Sequence, residues 1–209
     1  MAKLKKQHMT IHWKAIVQDD SSIPATEATL KEKATLVGRI GLMMLSVGTG
    51  AWRVRNSMNK VARCLGITCT ADIGLLAISY TCIEGTDTYT QSISNPTTGV
   101  NTHKLMQLEL FMKEFPDKVS TYSVKHIHEV LDEIQKLPAN YKAWNLGLAS
   151  ALACGAFTFL LGGGPVEMCC AFLGAGVGNF VRKKMLGHSI SLLANVAVSV
   201  AASCLVYVL

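Results

Sequence analysis

The chain has 209 residues, of which 50% are hydrophobic and 16% are charged, and its mean hydropathy is +0.31. This composition excludes a simple soluble globule. The charge is unevenly spread: residues 1–142 hold 17 Lys and Arg and 13 Asp and Glu, whereas residues 143–209 hold three basic residues and one acid. The first part therefore matches a water-soluble domain, and the second part matches a segment that lies in lipid.

The net positive charge and the spacing of the cysteines exclude several classes of protein. The net charge of +6 does not predict a nucleic-acid partner, because the lysines and arginines are not concentrated on one element; basic residues near apolar segments commonly mark the cytoplasmic side of a membrane. The seven cysteines form no CxxC pair, so neither a disulfide framework nor a zinc site is expected. Residues 1–25 are expected to be a flexible basic segment without a secretory signal.

The polar part of the chain predicts a cytoplasmic α+β domain over residues 26–140, with helices flanking a small β-sheet. The apolar spacing, the glycine interruptions and the β-branched segments predict these elements in order: helices over 26–46 and 52–65, strands over 67–71, 73–83 and 86–93 with a hairpin turn at 84–87, and helices over 102–115 and 119–137. This order lacks the alternation of a doubly wound fold.

Residues 141–209 predict an all-α transmembrane region of about three helices. The apolar segments 143–162 and 189–209 each have the length of a membrane span, while 166–181 is shorter and follows a Gly-Gly-Gly-Pro turn. Arg182, Lys183 and Lys184 are expected to form a cytoplasmic loop, which places the amino-terminal domain on the same side. Buried helices of a larger soluble protein are the alternative, but a chain of this size could not cover three of them.

Small residues recur at a spacing of four within these segments. Gly147, Ala151 and Gly155 form one such series, and Gly174 and Gly178 form another. In lipid, helices approach closely along such faces, so we expect the spans to pack through these residues.

Three stretches of the sequence resemble a known family. They are GRIGLMMLSVGTGAWRVRNSMNKVARCLGI (38–67), GVNTHKL (99–105) and NYKAWNLGLASALACGAFTFLLGGG (140–164). Together they are similar to the amino-terminal half of the threonine/serine exporter family, over about residues 35–209, and within it to the amino-terminal component of split, succinate-exporter-like systems.

The resemblance implies a multi-pass component of the cell inner membrane that exports amino acids (threonine or serine) or small dicarboxylates such as succinate, without enzymatic activity or a cofactor. It also implies membrane lipid and a second, smaller membrane subunit, a homo-oligomer, or both, as partners. Relatives continue into further helices beyond the third, so the end at Leu209 predicts a truncated product. Two alternatives stay open: a membrane-anchored metabolite-binding or hydrolase-like domain without transport, and a remnant of an exporter.

Polar groups inside the predicted spans are candidates for contact with a polar cargo, because an uncompensated charge is costly in lipid. Glu167 is the only acid there and is the candidate for coupling; the alternative is a solvated carboxylate in the first turn of a helix. Asn145 and Asn179, with Asn195, are candidate amide donors to substrate, or they form hydrogen bonds between helices.

Two further candidate positions lie in the polar domain. The break at Gly48-Thr49-Gly50 precedes Arg53 and Arg55, so backbone N–H groups and guanidinium could meet an anionic substrate; a helix corner with solvated arginines is the alternative. Asn101 and His103 lie in the GVNTHKL stretch that carries the resemblance, although a helix cap explains Asn101 equally well.

Metal sites and catalytic motifs are not predicted. The pair His126 and His128 has the wrong spacing for one helical face, and His8 and His12 lie near the amino terminus. The sequence contains no phosphate loop, nucleophile elbow or paired-carboxylate pattern. An enzyme of known motif is therefore not expected.

Overall fold

The computed structural model describes residues 11–17, 23–74, 77–95, 99–138, 141–185 and 192–208. These residues form seven α-helices and a three-stranded antiparallel sheet. The chain divides into two compact units, one ending at Pro138 and the other beginning at Ala139.

Helix α1 (Leu30–Ser46) is the centre of the first unit, with thirteen of its seventeen residues buried. It begins at a capping box, in which the Thr29 hydroxyl accepts from the Glu32 N–H and the Glu32 carboxylate accepts from the Thr29 N–H at 3.0 Å. The predicted start at residue 26 is therefore too early. A separate 3₁₀ turn, Ala25–Glu27, precedes the cap.

Strands β1 (Thr68–Ile73), β2 (Ala77–Glu84) and β3 (Asp87–Ser94) form the sheet in the order β1-β2-β3. The predicted strand over 73–83 is corrected at its start, because Ile73 ends β1 and pairs with Ile78 of β2. The β2–β3 hairpin has Gly85 at its first turn position with φ of 60°. A positive φ there is the requirement of a type II′ turn and favours glycine.

Two glycines let α1 approach its neighbours closely. A Cβ atom on Gly38 would overlap the phenol of Tyr80 on β2. A Cβ atom on Gly41 would lie 2.5 Å from the Met58 sulfur, which belongs to helix α2 (Ala51–Cys64). The buried core of the first unit thus forms where α1 meets both the sheet and α2.

Helix α3 (Thr102–Lys118) continues past the predicted end at residue 115, although it contains Pro116. A proline lacks the N–H that would bond to the carbonyl four residues earlier, here that of Met112. The Lys60 ammonium donates to this carbonyl at 3.1 Å, which replaces the missing bond. Helix α4 (Val124–Lys136) follows its Ser123 cap and begins later than the predicted residue 119.

The second unit consists of helices α5 (Ala143–Leu160), α6 (Pro165–Met185) and α7 (Leu192–Val208). The basic residues 182–184 form the last turn of α6, which corrects the predicted loop. Positive charges are stabilised at the carboxyl end of a helix by the backbone dipoles. Residues 186–188, the remainder of that predicted loop, and residues 189–191, the start of the predicted third span, lie outside the described residues.

These three helices differ in length and hydropathy. Within the described part of the chain, α5 is the one helix long and apolar enough to cross a membrane, with a mean hydropathy of 1.4 over 18 residues. Helix α7 is apolar but shorter, and α6 carries Glu167 and the three basic residues. At 1.5 Å per residue, α5 is about 27 Å long.

Small residues form the helix contacts of the second unit. A Cβ on Gly147 would lie 3.2 Å from the Gly176 carbonyl, and a Cβ on Gly155 would lie 3.5 Å from the Met168 carbonyl. Because the residue numbers increase along α5 while those of the contacting α6 residues decrease, the two helices are antiparallel. On another face of α6, Gly174 and Gly178 lie against Ser203 of α7, so both glycine series pack as the spacing predicted.

Candidate functional site

The predicted glycine corner lies between α1 and α2, but the two arginines that follow it do not contact the same group. Gly48 has φ of 86°, as expected at a sharp turn between helices. The Arg53 guanidinium donates to Glu109 of α3 at 2.7 Å, whereas the Arg55 Nε donates to the Ala71 carbonyl of β1 at 3.1 Å. The two cations therefore contact different neighbours, and Arg53 already has a carboxylate.

Asn101 and His103 lie at the start of α3. The Asn101 side chain caps the helix by accepting from the Lys104 N–H at 3.1 Å. His103 is in the first turn, and its Nδ1 is buried without a hydrogen-bond partner in the part of the chain that the structure describes. The cap explains Asn101 locally, and it also fixes the position of Lys104.

A buried cationic network, which sequence reasoning missed, lies between α1 and α4. Arg39 of α1 is 4% exposed. Its Nη1 donates to the His128 carbonyl at 2.8 Å and contacts the His128 Nδ1 at 3.1 Å. Its Nη2 donates to Asp132 Oδ1 and, at 3.2 Å, to Gln135 Oε1. All four Nη hydrogens thus have acceptors, as a buried guanidinium requires.

The imidazole of His128 is neutral in this network. Burial, with the adjacent Arg39 cation, lowers the pKa of His128 to about 3, and Asp132 opposes that shift. Because guanidinium only donates, Nδ1 must accept, which places the proton on Nε2. The ring of Trp13 stacks on His128 with centroids 4.8 Å apart. Trp13, in a segment expected to be flexible, is only 8% exposed.

A cavity of about 410 Å³ borders this network. Helices α1, α3 and α4 supply most of its wall, and Ile11, Trp13 and Asn95 supply the remainder. Its polar lining consists of Arg39, Ser46, Asn95, Lys104, Asp132 and Gln135. Ligand cavities of similar volume combine an apolar wall with a few polar groups, so this is the candidate binding site of the first unit.

The sequence contained one indication of this site. Arg39 lies in the apolar series of α1, and a charge at such a position needs a buried partner. Its acceptors are 89 to 96 residues away, and nothing local identifies which acid of the later helices is the partner. Periodicity finds a buried face but not a pairing between distant helices.

The predicted polar residues of the second unit lie at separate positions. Glu167 is exposed in the first turn of α6, and a Cβ on Gly164 would lie 2.7 Å from its Oε2. Its carboxylate therefore folds back over the start of the helix, where negative charge is favoured. Asn145 is exposed on α5 and Asn179 is half-buried on α6. Asn195 of α7 donates to the Arg182 carbonyl of α6 at 3.4 Å.

Metal-binding clusters are absent from the described ranges, in which no three His, Cys, Asp or Glu side chains are grouped suitably for an ion. His8 lies outside those ranges. His128 donates nothing from Nδ1 and is enclosed by Arg39 and Trp13.

Comparison with known proteins identifies the family. A family model for threonine/serine exporters, ThrE, matches residues 35–209, and this confirms the resemblance found in the sequence. No curated protein and no solved structure matches the chain. The matched residues include most of the first unit and all of the second. The chain therefore belongs to the threonine/serine exporter family, a family of membrane transporters.

Proposed function

We propose that this chain is the component of an exporter that carries threonine and serine out of the cell. The family match over residues 35–209 is the observation that carries the proposal. The second unit supports it, because α5 has the length and hydropathy of a membrane span and packs against α6 through glycines. These properties belong to a helical membrane unit.

The charges of the α5–α6 hairpin support an orientation in the membrane. Lys142 precedes α5 and the basic residues 182–184 end α6. Since the two helices are antiparallel, these cations share one end of the hairpin, while the Gly162–Pro165 turn and Glu167 share the other. Short basic segments face the cytoplasm. We therefore assign the basic end, and the first unit that enters α5 from it, to the cytoplasmic side.

Three helices are too few to enclose a polar path through lipid, so we propose that further membrane helices complete the exporter. A second, smaller subunit or additional copies of this chain would supply them. An apolar groove of about 230 Å³ between α5 and α6, lined by Trp144, Leu148 and Val177 among others, supports this view. Its apolar wall is suited to packing against the apolar side chains of another membrane helix.

The coupling role proposed for Glu167 has a specific test. Glu167 is the only acid of residues 143–209, and it is exposed at the turn end of α6. A Glu167→Gln variant keeps the size of the side chain and one acceptor oxygen but cannot exchange a proton. We expect this variant to export more slowly than the parent chain. Equal export would remove Glu167 from the mechanism.

The function is tested by efflux from loaded cells. Cells producing the chain, alone or with a membrane protein encoded beside it, are given dipeptides that release threonine or serine inside, and the internal and external amino acid are measured. We expect a lower internal concentration than in cells without the chain. Unchanged concentrations in both arms would refute export, and a decrease of internal succinate alone would assign a dicarboxylate cargo.

A matched pair of variants connects efflux to the helix packing. Gly147→Leu places a large side chain 3.2 Å from the α6 backbone, whereas Ala149→Leu, on an exposed face of the same helix, adds the same bulk outside that contact. We expect the first variant to abolish efflux and the second to retain it. Equal activity of both variants would show that the observed α5–α6 contact is not needed for export.

A further inference from the structure

The cavity of the first unit contains a buried amide that lacks a partner. Asn95 follows β3 and lines the cavity, and it is only 4% exposed. In the part of the chain that the structure describes, neither its Nδ2 nor its Oδ1 forms a hydrogen bond. Buried polar groups are nearly always paired, so an occupant that both donates and accepts is expected here.

A cation and a carboxylate share the same wall. The Lys104 ammonium donates one hydrogen to the Gln135 carbonyl at 2.7 Å, which leaves two of its three donors for another group. Asp132 uses Oδ1 for Arg39, and its side chain is 27% exposed. Its second oxygen is therefore available as an acceptor at the cavity surface.

The charges of the wall distinguish between classes of ligand. The Nη groups of Arg39 are directed at His128, Asp132 and Gln135, so this guanidinium orients the carboxylate of Asp132. Lys104 then offers a positive group and Asp132 a negative one. A dicarboxylate would place one negative charge near Asp132, whereas a molecule with one carboxylate and one ammonium satisfies both groups.

We propose that this cavity is a binding site for a free α-amino acid, with its carboxylate at Lys104, its ammonium at Asp132 and a polar group of the ligand at Asn95. Leu42, Val47 and Leu108 are among the residues of the apolar part of the wall, which suits a small side chain. All the residues that line the site belong to the first unit. It gives this unit the capacity to sense the amino acid, whether or not the chain exports it.

Binding is tested with the full chain purified in detergent, by calorimetry with threonine and serine. Two probes each lack one charge: threoninol has the ammonium without the carboxylate, and 3-hydroxybutyrate has the carboxylate without the ammonium. We expect threonine or serine to bind and both probes to bind at least about tenfold more weakly, as the loss of one charge-assisted hydrogen bond implies. Equal binding of 3-hydroxybutyrate or succinate would overturn the assignment of the ammonium to Asp132.

Two variants locate the site. Lys104→Met removes the cation, and Asn95→Leu replaces the unpartnered amide by an apolar side chain of similar size. Lys60→Met is the matched control, because Lys60 also donates to a backbone carbonyl but lies outside the cavity. We expect about tenfold weaker binding in the first two variants and unchanged binding in the control.

The stability of the variants separates binding from folding. Asn95→Leu removes a buried polar group without a partner, so its thermal unfolding temperature in the absence of ligand is expected to be unchanged or higher. A stable Asn95→Leu chain with undiminished binding would place the ligand elsewhere. No binding of threonine or serine by the parent chain would overturn the proposal and leave the efflux result unaffected.

Discussion

Breaking the buried ion pair between α1 and α4 should cost far more stability than breaking an exposed one, and the first unit offers both. The side chains of Arg39 and Asp132 are 5% and 27% exposed. Those of Arg53 and Glu109 are both 45% exposed. The variants Asp132→Ala and Glu109→Ala each remove a carboxylate from a helix, so the gain in helix propensity is similar and small in both.

The expected magnitudes follow from burial. Asp132→Ala leaves the Arg39 cation in the core with only neutral acceptors, His128 and Gln135. Removing one partner of a buried pair costs about 3–5 kcal/mol. Because Asp132 is partly exposed, we expect a loss of about 3 kcal/mol in the free energy of unfolding. Glu109→Ala frees a guanidinium that solvent can reach, which costs at most about 1 kcal/mol.

Urea unfolding of the full chain in detergent measures the difference. Trp13 packs on the network and is buried, so its emission reports on this region. With an m value of about 1–3 kcal/mol per molar urea, Asp132→Ala should lower the midpoint by at least about 1 M. A midpoint shift no larger than that of Glu109→Ala would refute the view that Arg39 is held in a desolvated network.

Three more outcomes are expected. The pKa of His128 is about 3 in the folded chain, against 6.5 ordinarily, so the unfolded chain takes up a proton at a higher pH than the folded chain. Stability should therefore fall by about 2 kcal/mol from pH 6.5 to 5, and by less in His128→Gln. Lys60→Met should lower the free energy of unfolding by about 1 kcal/mol, because it frees the Met112 carbonyl beside the proline; an unchanged urea midpoint would contradict that role. In a variant in which the other six cysteines are replaced, Cys154 on the α5 surface should resist a water-soluble maleimide in membranes yet react after solubilisation in sodium dodecyl sulfate; rapid labelling in intact membranes would contradict a lipid location.

Local patterns accounted for the elements of the first unit. The apolar spacing before Gly48 and the β-branched segments around Gly85 act over a few residues, so the sequence alone predicts helix and strand type there. The ends of helices were less predictable. Helix α1 begins after its Thr29 cap rather than at residue 26. Helix α3 passes through Pro116, and Lys60, from another helix, bonds the freed carbonyl.

The candidate cavity depended on pairings that no local pattern contains. Arg39 donates to Asp132, which lies 93 residues later in the chain. Trp13, from a segment without periodicity, stacks on His128 of the same network. The polar residues that the sequence singled out were instead those at breaks and inside apolar segments, such as Arg53 and Glu167. A lone charge indicates that a partner exists, but only the packing of helices identifies the partner.

Two of the segments that carry the family resemblance meet at the wall of this cavity. The Gly99 N–H donates to the Ser46 carbonyl at 3.3 Å, and the Asn101 N–H donates to the Val47 carbonyl at 3.2 Å. These bonds hold the start of α3 against the end of α1, and the Asn101 cap then fixes the backbone of Lys104. Asn101, which the sequence indicated as a substrate contact, thus caps α3 and holds the backbone of Lys104 beside the cavity.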